Sequence, residues 1–343
     1  MNRLTILILA LTISISFSCK KQEDKDITPP IINLLGNDIV TIALGTAYVD
    51  SGYTATDDID GDLSSSVIIT GIVNEFNAGT YQLHYNVSDN AGNKANEKIR
   101  TVIIEGQKLI PQNIQNGFAI QYTATWDQFS GSWGATLLYK YVADAPHGAI
   151  ISAHLSGDPM KSQLSNSFVY DRNHGGGIPS FYVGDIKVNS NHPNAMSDLI
   201  NTSTDCGIDY QYVVSVDSMY VYTKTKFFSS SQGDYYLSVL VLEDNIDGSS
   251  NAPTGYIQAG TSTTYPNDDY LHNFVLRASS LKDSAYGELI VQNPSQNMEI
   301  NKKYVIKIDN SWVNPYAVCI IWKYIVGTKP EYHYINALKK KNP

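Results

Sequence analysis

The chain has 343 residues, 43% of them hydrophobic and 17% charged, so it is long enough for two or three domains and apolar enough to give each a core. Asp and Glu total 33 against 24 Lys and Arg, a net charge of −9, which excludes a basic nucleic-acid binder. Three cysteines exclude a disulfide-stapled miniprotein, and no multi-span pattern of long apolar runs is present. The 24 tyrosines fit a β-rich chain with amphipathic surfaces.

Asn2-Arg3 is a short positive start, and Leu4 to Phe17 is an almost unbroken apolar run. It is too short to span a bilayer, which needs about 20 residues, and reads as the core of a signal peptide. The run ends Ser16-Phe17-Ser18-Cys19, which resembles the lipobox of bacterial lipoproteins. Ser16 stands where Leu is more usual, a departure common in Bacteroidetes lipoproteins. The resemblance implies cleavage after residue 18, a lipid on Cys19 and an outer-membrane address. Residues 19–28 form a charged tether, Lys20-Lys21-Gln22-Glu23-Asp24-Lys25-Asp26, with nothing apolar to fold around. Such stretches resemble surface-export signals, which implies an outward-facing protein.

Residues 29–106 alternate in short runs divided by turns, the pattern of an antiparallel sandwich. In Tyr81 to Ser88, Tyr81, Leu83, Tyr85 and Val87 share one face. The segments Gly52-Tyr53-Thr54-Ala55-Thr56-Asp57, Asp60-Gly61-Asp62-Leu63, Gly79-Thr80-Tyr81 and Val87 to Asn93 resemble a bacterial immunoglobulin-like domain, which implies a spacer or adhesion module. Asp57, Asp58, Asp60 and Asp62 raise a calcium reading, since hard cations want several carboxylate oxygens. The spacing is not that of an EF-hand loop, and Asp and Gly also make turns unaided.

Residues 107–205 change period. Phe118 to Trp126 reads as a strand, Gly134 to Val142 as a helix, Gly148 to Leu155 as a buried parallel strand, Gly177 to Gly184 as another strand, and Ala195 to Ile200 as the start of a helix. This order, with Gly177-Ile178-Pro179-Ser180-Phe181, resembles thioredoxin. Tyr122-Thr123-Ala124-Thr125-Trp126 followed by Trp133-Gly134 resembles the thioredoxin-like half of the outer-membrane-protein-28-related lipoproteins of Bacteroidetes. Many relatives carry Cys-x-x-Cys after that segment; here Asp127-Gln128-Phe129-Ser130 stands instead. Disulfide exchange needs a thiolate, so the substitution removes redox chemistry, while Asp and Ser remain good helix caps. The resemblance implies a cis peptide bond at Pro179 and a remnant groove around Trp126, Asp127, Ile178 and Pro179. His147, His154, His174 and His192 lie in this region without metal-ligand spacing.

Residues 206–343 return to strands, Tyr212 to Val216, Tyr220 to Thr225, Tyr235 to Leu242, Phe274 to Ala278, Tyr304 to Ile308 and Ala317 to Val326, which predicts a jelly-roll-like β-sandwich. The runs at Tyr236 to Asp244, Tyr270 to Arg277 and Gly287-Glu288 resemble the C-terminal half of the same lipoprotein family. Glu243, Asp244, His272, Arg277 and Glu288 stand out as polar residues, explained most simply as ion pairs and strand-end caps. A Cys206–Cys319 disulfide would close a long loop, but Ala317 to Ile321 is apolar on both faces, where free cysteine is common.

The expected architecture is thus multidomain and β-rich: an Ig-like sandwich, a redox-inactive thioredoxin-like α/β domain and a jelly-roll-like sandwich. The expected function is a non-catalytic lipoprotein, held in the outer membrane through Cys19, that binds or adheres to a surface protein or glycan. No cofactor is expected beyond the calcium reading. The alternatives are a carbohydrate-binding accessory of a polysaccharide-uptake system and a vestigial thiol–disulfide oxidoreductase or hydrolase.

Overall fold

The computed structural model describes residues 25–155, 157–172, 177–249, 252–253, 255–259 and 270–340. The expected signal peptide, Cys19, most of the expected tether and His174 lie outside the described residues. The chain divides into two compact units, one of residues 25–42, 47–74 and 79–104, the other of 43–46, 75–78 and everything from 105 on. No helix among the described residues is long and apolar enough to cross a membrane.

The first unit carries β1 (Ile31–Leu34), β2 (Ile39–Ala43), β3 (Tyr53–Asp57), β4 (Gly61–Asp62), β5 (Ile68–Thr70), β6 (Gly79–Asn86) and β7 (Lys98–Glu105). They form two sheets, in the orders β1-β3-β4 and β2-β7-β6-β5. Alternation along β6 buries Leu83 and Tyr85 with Ile32, Ala55 and Val87 in one core. Arg100 is fully buried in this unit; it pairs with Asp50 at 2.5 Å and donates to the Gly52 carbonyl at 3.2 Å. Burial works against the Asp50 carboxylate, but the Tyr85 hydroxyl, the Gly52 N–H and Arg100 outweigh it and hold its pKa below the usual range.

The second unit starts with β8 (Phe118–Thr123), a π-helical turn (Ser130–Gly134), α1 (Ala135–Asp144), β9 (Ala149–His154), α2 (Leu164–Arg172), β10 (Ser180–Val183), β11 (Ile186–Val188) and α3 (Ala195–Ile200). Strands β8 and β9 are buried on both faces and pair in parallel, as their continuous apolar runs require. Strands β10 and β11 add antiparallel beyond β8.

The chain continues through β12 (Cys206–Val214), β13 (Ser218–Phe227), β14 (Asp234–Glu243), β15 (Ile246–Asp247), β16 (Leu271–His272), β17 (Val275–Ser279), β18 (Glu288–Gln292), β19 (Glu299–Lys307), β20 (Pro315–Tyr324) and β21 (Tyr332–Lys339). Parallel pairing of β17 with β9, where Val275 faces Ser152, extends the sheet to the order β11-β10-β8-β9-β17-β14-β20-β21, with β18 also on β14. The sequence reading draws a boundary between residues 205 and 206; in the structure the strands on either side share this nine-stranded sheet.

Two cores explain why Val239–Leu242 of β14 and Ala317–Trp322 of β20 are apolar on both faces. Leu240, Leu242, Val318, Ile320 and Trp322 face the core built with β8, β9 and the helices. Their neighbours Val239, Val241, Ala317, Cys319 and Ile321 face a second core closed by the antiparallel sheet β12-β13-β19. Each fully buried side chain of this kind contributes roughly 1.5–3 kcal/mol. The Trp322 indole N–H donates to Ser238 Oγ at 2.9 Å, satisfying the polar atom that burial would otherwise strand.

Candidate functional site

Where β8 runs into the helix, the chain places Asp127 and Ser130. Asp127 Oδ2 accepts both the Ser130 N–H and the Ser130 hydroxyl, each at 2.6 Å. This is a side-chain cap on the third residue of the first turn, and both residues are buried. Gln258 lies over it, its amide donating to the carbonyls of Thr125 (3.2 Å) and Asp127 (3.1 Å), and the Ala259 N–H donates to the Thr125 carbonyl at 2.7 Å. A Cβ on Gly131 would sit 2.3 Å from the Ala259 carbonyl oxygen, so the covering segment rests on helix backbone. The Ile178–Pro179 bond is cis, and Pro179 Cγ lies 2.9 Å from where a Gly134 Cβ would be. Of the four residues expected around a groove, Trp126 is 59% exposed, Ile178 is half-buried, and Asp127 and Pro179 are buried. The protein's own 258–259 segment thus covers the Thr125, Asp127 and Gly131 side of the expected groove.

Beneath that segment lies a buried polar cluster. His154 from β9 and His272 from β16 are 5.7 Å apart, ring centre to ring centre. Asp158 Oδ2 lies 3.1 Å from His154 Nδ1, although the two are not aligned for a hydrogen bond. Burial works against the Asp158 carboxylate, but His154 and the N–H groups of Thr125 and Met160 outweigh it and hold its pKa low. Burial, with His154 as a like neighbour, pushes His272 down to about 4; neutral His272 donates through Nε2 to the Tyr256 carbonyl at 2.7 Å. A cavity of about 10 Å3 between these groups has room for one water at most.

At the other end of β8 the structure opens a cavity of about 780 Å3. Its walls come from the loop before β8, the β10–β11 turn, the loop into α3, α3 itself, residues 202–205 and β21. Asp185 in the turn is tied to Arg172 at 3.2 Å and to His333 at 3.1 Å. Arg172 is itself buried, its guanidinium 5.0–5.8 Å from the Phe118, Tyr286 and Trp322 ring centres and hydrogen-bonded to the Tyr286 hydroxyl and the Tyr332 carbonyl. The sequence reading missed this cavity, because its walls come from separated stretches with no motif among them.

The remaining expected sites resolve as follows. Asp57 and Asp60 gather with Asp26, their carboxylates within 4.8 Å of one another, while Asp58 and Asp62 stand outside the group. Asp57 Oδ1 accepts the N–H groups of Ile59 and Asp60, which holds a turn, and Asp60 accepts from Asn90 in a separate loop. Of the two readings the sequence left open, the structure has Cys206 and Cys319 as free thiols in the second core, each filling a buried apolar position. Burial raises both thiol pKa values far above the usual range, so neither offers a thiolate. Glu243 pairs with Arg277 at 2.5 Å, Asp244 accepts the Phe274 N–H at 2.6 Å, and Glu288 pairs with Lys302 at 3.1 Å. These are the ion pairs and strand-end caps the sequence suggested. Tyr85, Tyr122, Tyr141, Tyr210 and Tyr235 have no exposed surface, so much of the tyrosine excess is packing.

Residues 32–104 match the model of a bacterial surface protein Ig-like domain. No curated protein matches the chain. Among solved structures, HBP35 of Porphyromonas gingivalis is similar at a TM-score of 0.52 and 14% identity, over 66% of this chain and 75% of that one; the likeness is one of fold. A lipoprotein of Bacteroides thetaiotaomicron, BT2262, matches at a TM-score of 0.22 and 16% identity, over 57% of this chain and 92% of that one, a score too low to carry an argument. The Ig-like match supports a place at the cell surface or in the envelope.

Proposed function

We propose that the chain is a non-catalytic lipoprotein of the outer membrane, lipidated on Cys19 and displayed outward, in which the Ig-like unit is a spacer and the larger unit binds a partner. In this reading the larger unit is a thioredoxin-like frame merged with a β-sandwich. The order β8-α1-β9-α2-β10-β11-α3 and the sheet order β11-β10-β8-β9 support it. One observation carries the loss of catalysis: the groups standing where thiols are expected, Asp127 and Ser130, are hydrogen-bonded to each other and capped over by Gln258. A carboxylate and an alcohol so engaged supply neither a thiolate nor a free nucleophile.

Protease shaving of intact cells tests the display. The expected result is cleavage of the chain while periplasmic markers stay whole, and loss of membrane association in Cys19→Ala. Protection until the outer membrane is broken would contradict surface display.

A further inference from the structure

We infer that the cavity between β11, α3 and β21 is a binding site for a neutral, hydroxyl-rich small ligand, a mono- or disaccharide unit. Its volume of about 780 Å3 falls within the range of roughly 300–1,000 Å3 common for small-molecule sites.

The charge of the lining decides the ligand class. Asp185, Asp198 and Asp205 are present and no Lys or Arg is, so the lining offers phosphate, sulfate and carboxylate ligands no fixed cation to pair with. Two of the three carboxylates are already engaged. Asp185 is tied to Arg172 and His333, and Asp205 accepts the Ser229 hydroxyl at 2.7 Å. Asp198 alone offers an exposed carboxylate with no side-chain partner among the described residues. That is too little negative charge to select a polycation. The Asp198 carboxylate is an unspent hydrogen-bond acceptor, which suits a hydroxyl donor.

Gln115 supplies the second argument. It lines the cavity, is 8% exposed, and its Oε1 is buried with no hydrogen-bond partner. Its neighbours are fixed: Asn336 donates to the Ile114 carbonyl at 2.9 Å and accepts the Asn116 N–H at 3.0 Å. The backbone is thus anchored on both sides of a side chain whose acceptor is unspent. A buried amide left so is a cost to the fold, and a ligand hydroxyl reached by a small rotation of the side chain would remove it. Ile186, Val188 and Leu199 give the cavity an apolar wall, the surface against which the C–H face of a sugar ring packs.

The inference rests on the reading of the chain as a binding protein. Shaving addresses display and titration addresses the cavity, so either can fail while the other stands. The test is calorimetric titration of the full chain, in a zwitterionic detergent without sugar headgroups, against glucose, galactose, mannose, N-acetylglucosamine, maltose and cellobiose, with spermidine as the cationic control. We expect saturable binding of at least one sugar, weakened about tenfold or more, the loss of one good hydrogen bond to a charged or buried group, in Asp198→Asn and in Gln115→Leu. Asp127→Asn, at the other end of β8, leaves it unchanged. Gln115→Leu is also expected to raise Tm, which separates lost binding from misfolding. No saturable binding by any of the sugars, binding untouched by both variants, or tighter binding of spermidine than of any sugar would overturn the proposal.

Discussion

At the end of β8 that runs into the helix, Asp127 and Ser130 are spent on one another; at the end where β8 begins, Gln115 and Asp198 are not. Asp127 and Ser130 satisfy each other under Gln258, whereas Gln115 keeps a buried oxygen without a partner beside an open cavity. The difference teaches where this sheet keeps open space and where the chain covers its own strand ends. The helix end is filled by the chain itself, and the space available to a partner lies at the opposite edge of the same strands.

The largest expected effect concerns Arg172, which ties the open end to the core. Replacing it by Met strips Asp171 and Asp185 of their buried cation and is expected to cost about 3–5 kcal/mol, read as a lower midpoint in urea unfolding. A variant as stable as the parent would mean that the cavity wall does not depend on this network.

The filled end makes a pH prediction. His272 has its pKa held at about 4 in the folded chain, below the ordinary 6.5, so the unfolded state binds more protons between those values. Stability is therefore fully present above about pH 6.5 and falls as the pH drops towards 4, by about 3 kcal/mol in all. His272→Gln should flatten that slope; an unchanged slope would show that His272 is not kept dry.

Smaller again is the cap. Asp127→Ala leaves the Ser130 N–H and hydroxyl without their acceptor and is expected to cost about 1–2 kcal/mol, measured by thermal unfolding. The smallest effect tests the cover alone: in Asp127→Cys/Ser130→Cys, the new thiols should react with a maleimide far more slowly than in the unfolded chain. Equal rates would show that the 258–259 segment does not shield them.

Much of the frame is legible in the sequence because its period is local. The continuous apolar run of β9 and the stretch Ala195–Ile200 stand where the pattern places them. Helix α2 escapes that pattern, since Leu164–Arg172 reads Leu-Ser-Asn-Ser-Phe-Val-Tyr-Asp-Arg and has no apolar stripe to announce it. Strand β21 escapes it as well, although it completes the main sheet, lends Tyr334 to the cavity wall and sets Asn336 beside the loop that carries Gln115. The run from 205 to 206 looks like a domain boundary because the pairing that crosses it, β9 with β17, joins residues more than a hundred positions apart. The Asp127 cap can be read from residue type, but its cover by Gln258 cannot, as the two are separated by 131 positions.

The positions expected to carry thiol chemistry should be chemically silent, which is the central claim of the non-catalytic reading. Insulin reduction by dithiothreitol, with and without the purified chain, tests it most directly. The predicted result is a turbidity curve indistinguishable from the reductant alone; acceleration that grows with the amount of chain and disappears in Asp127→Ala would contradict it.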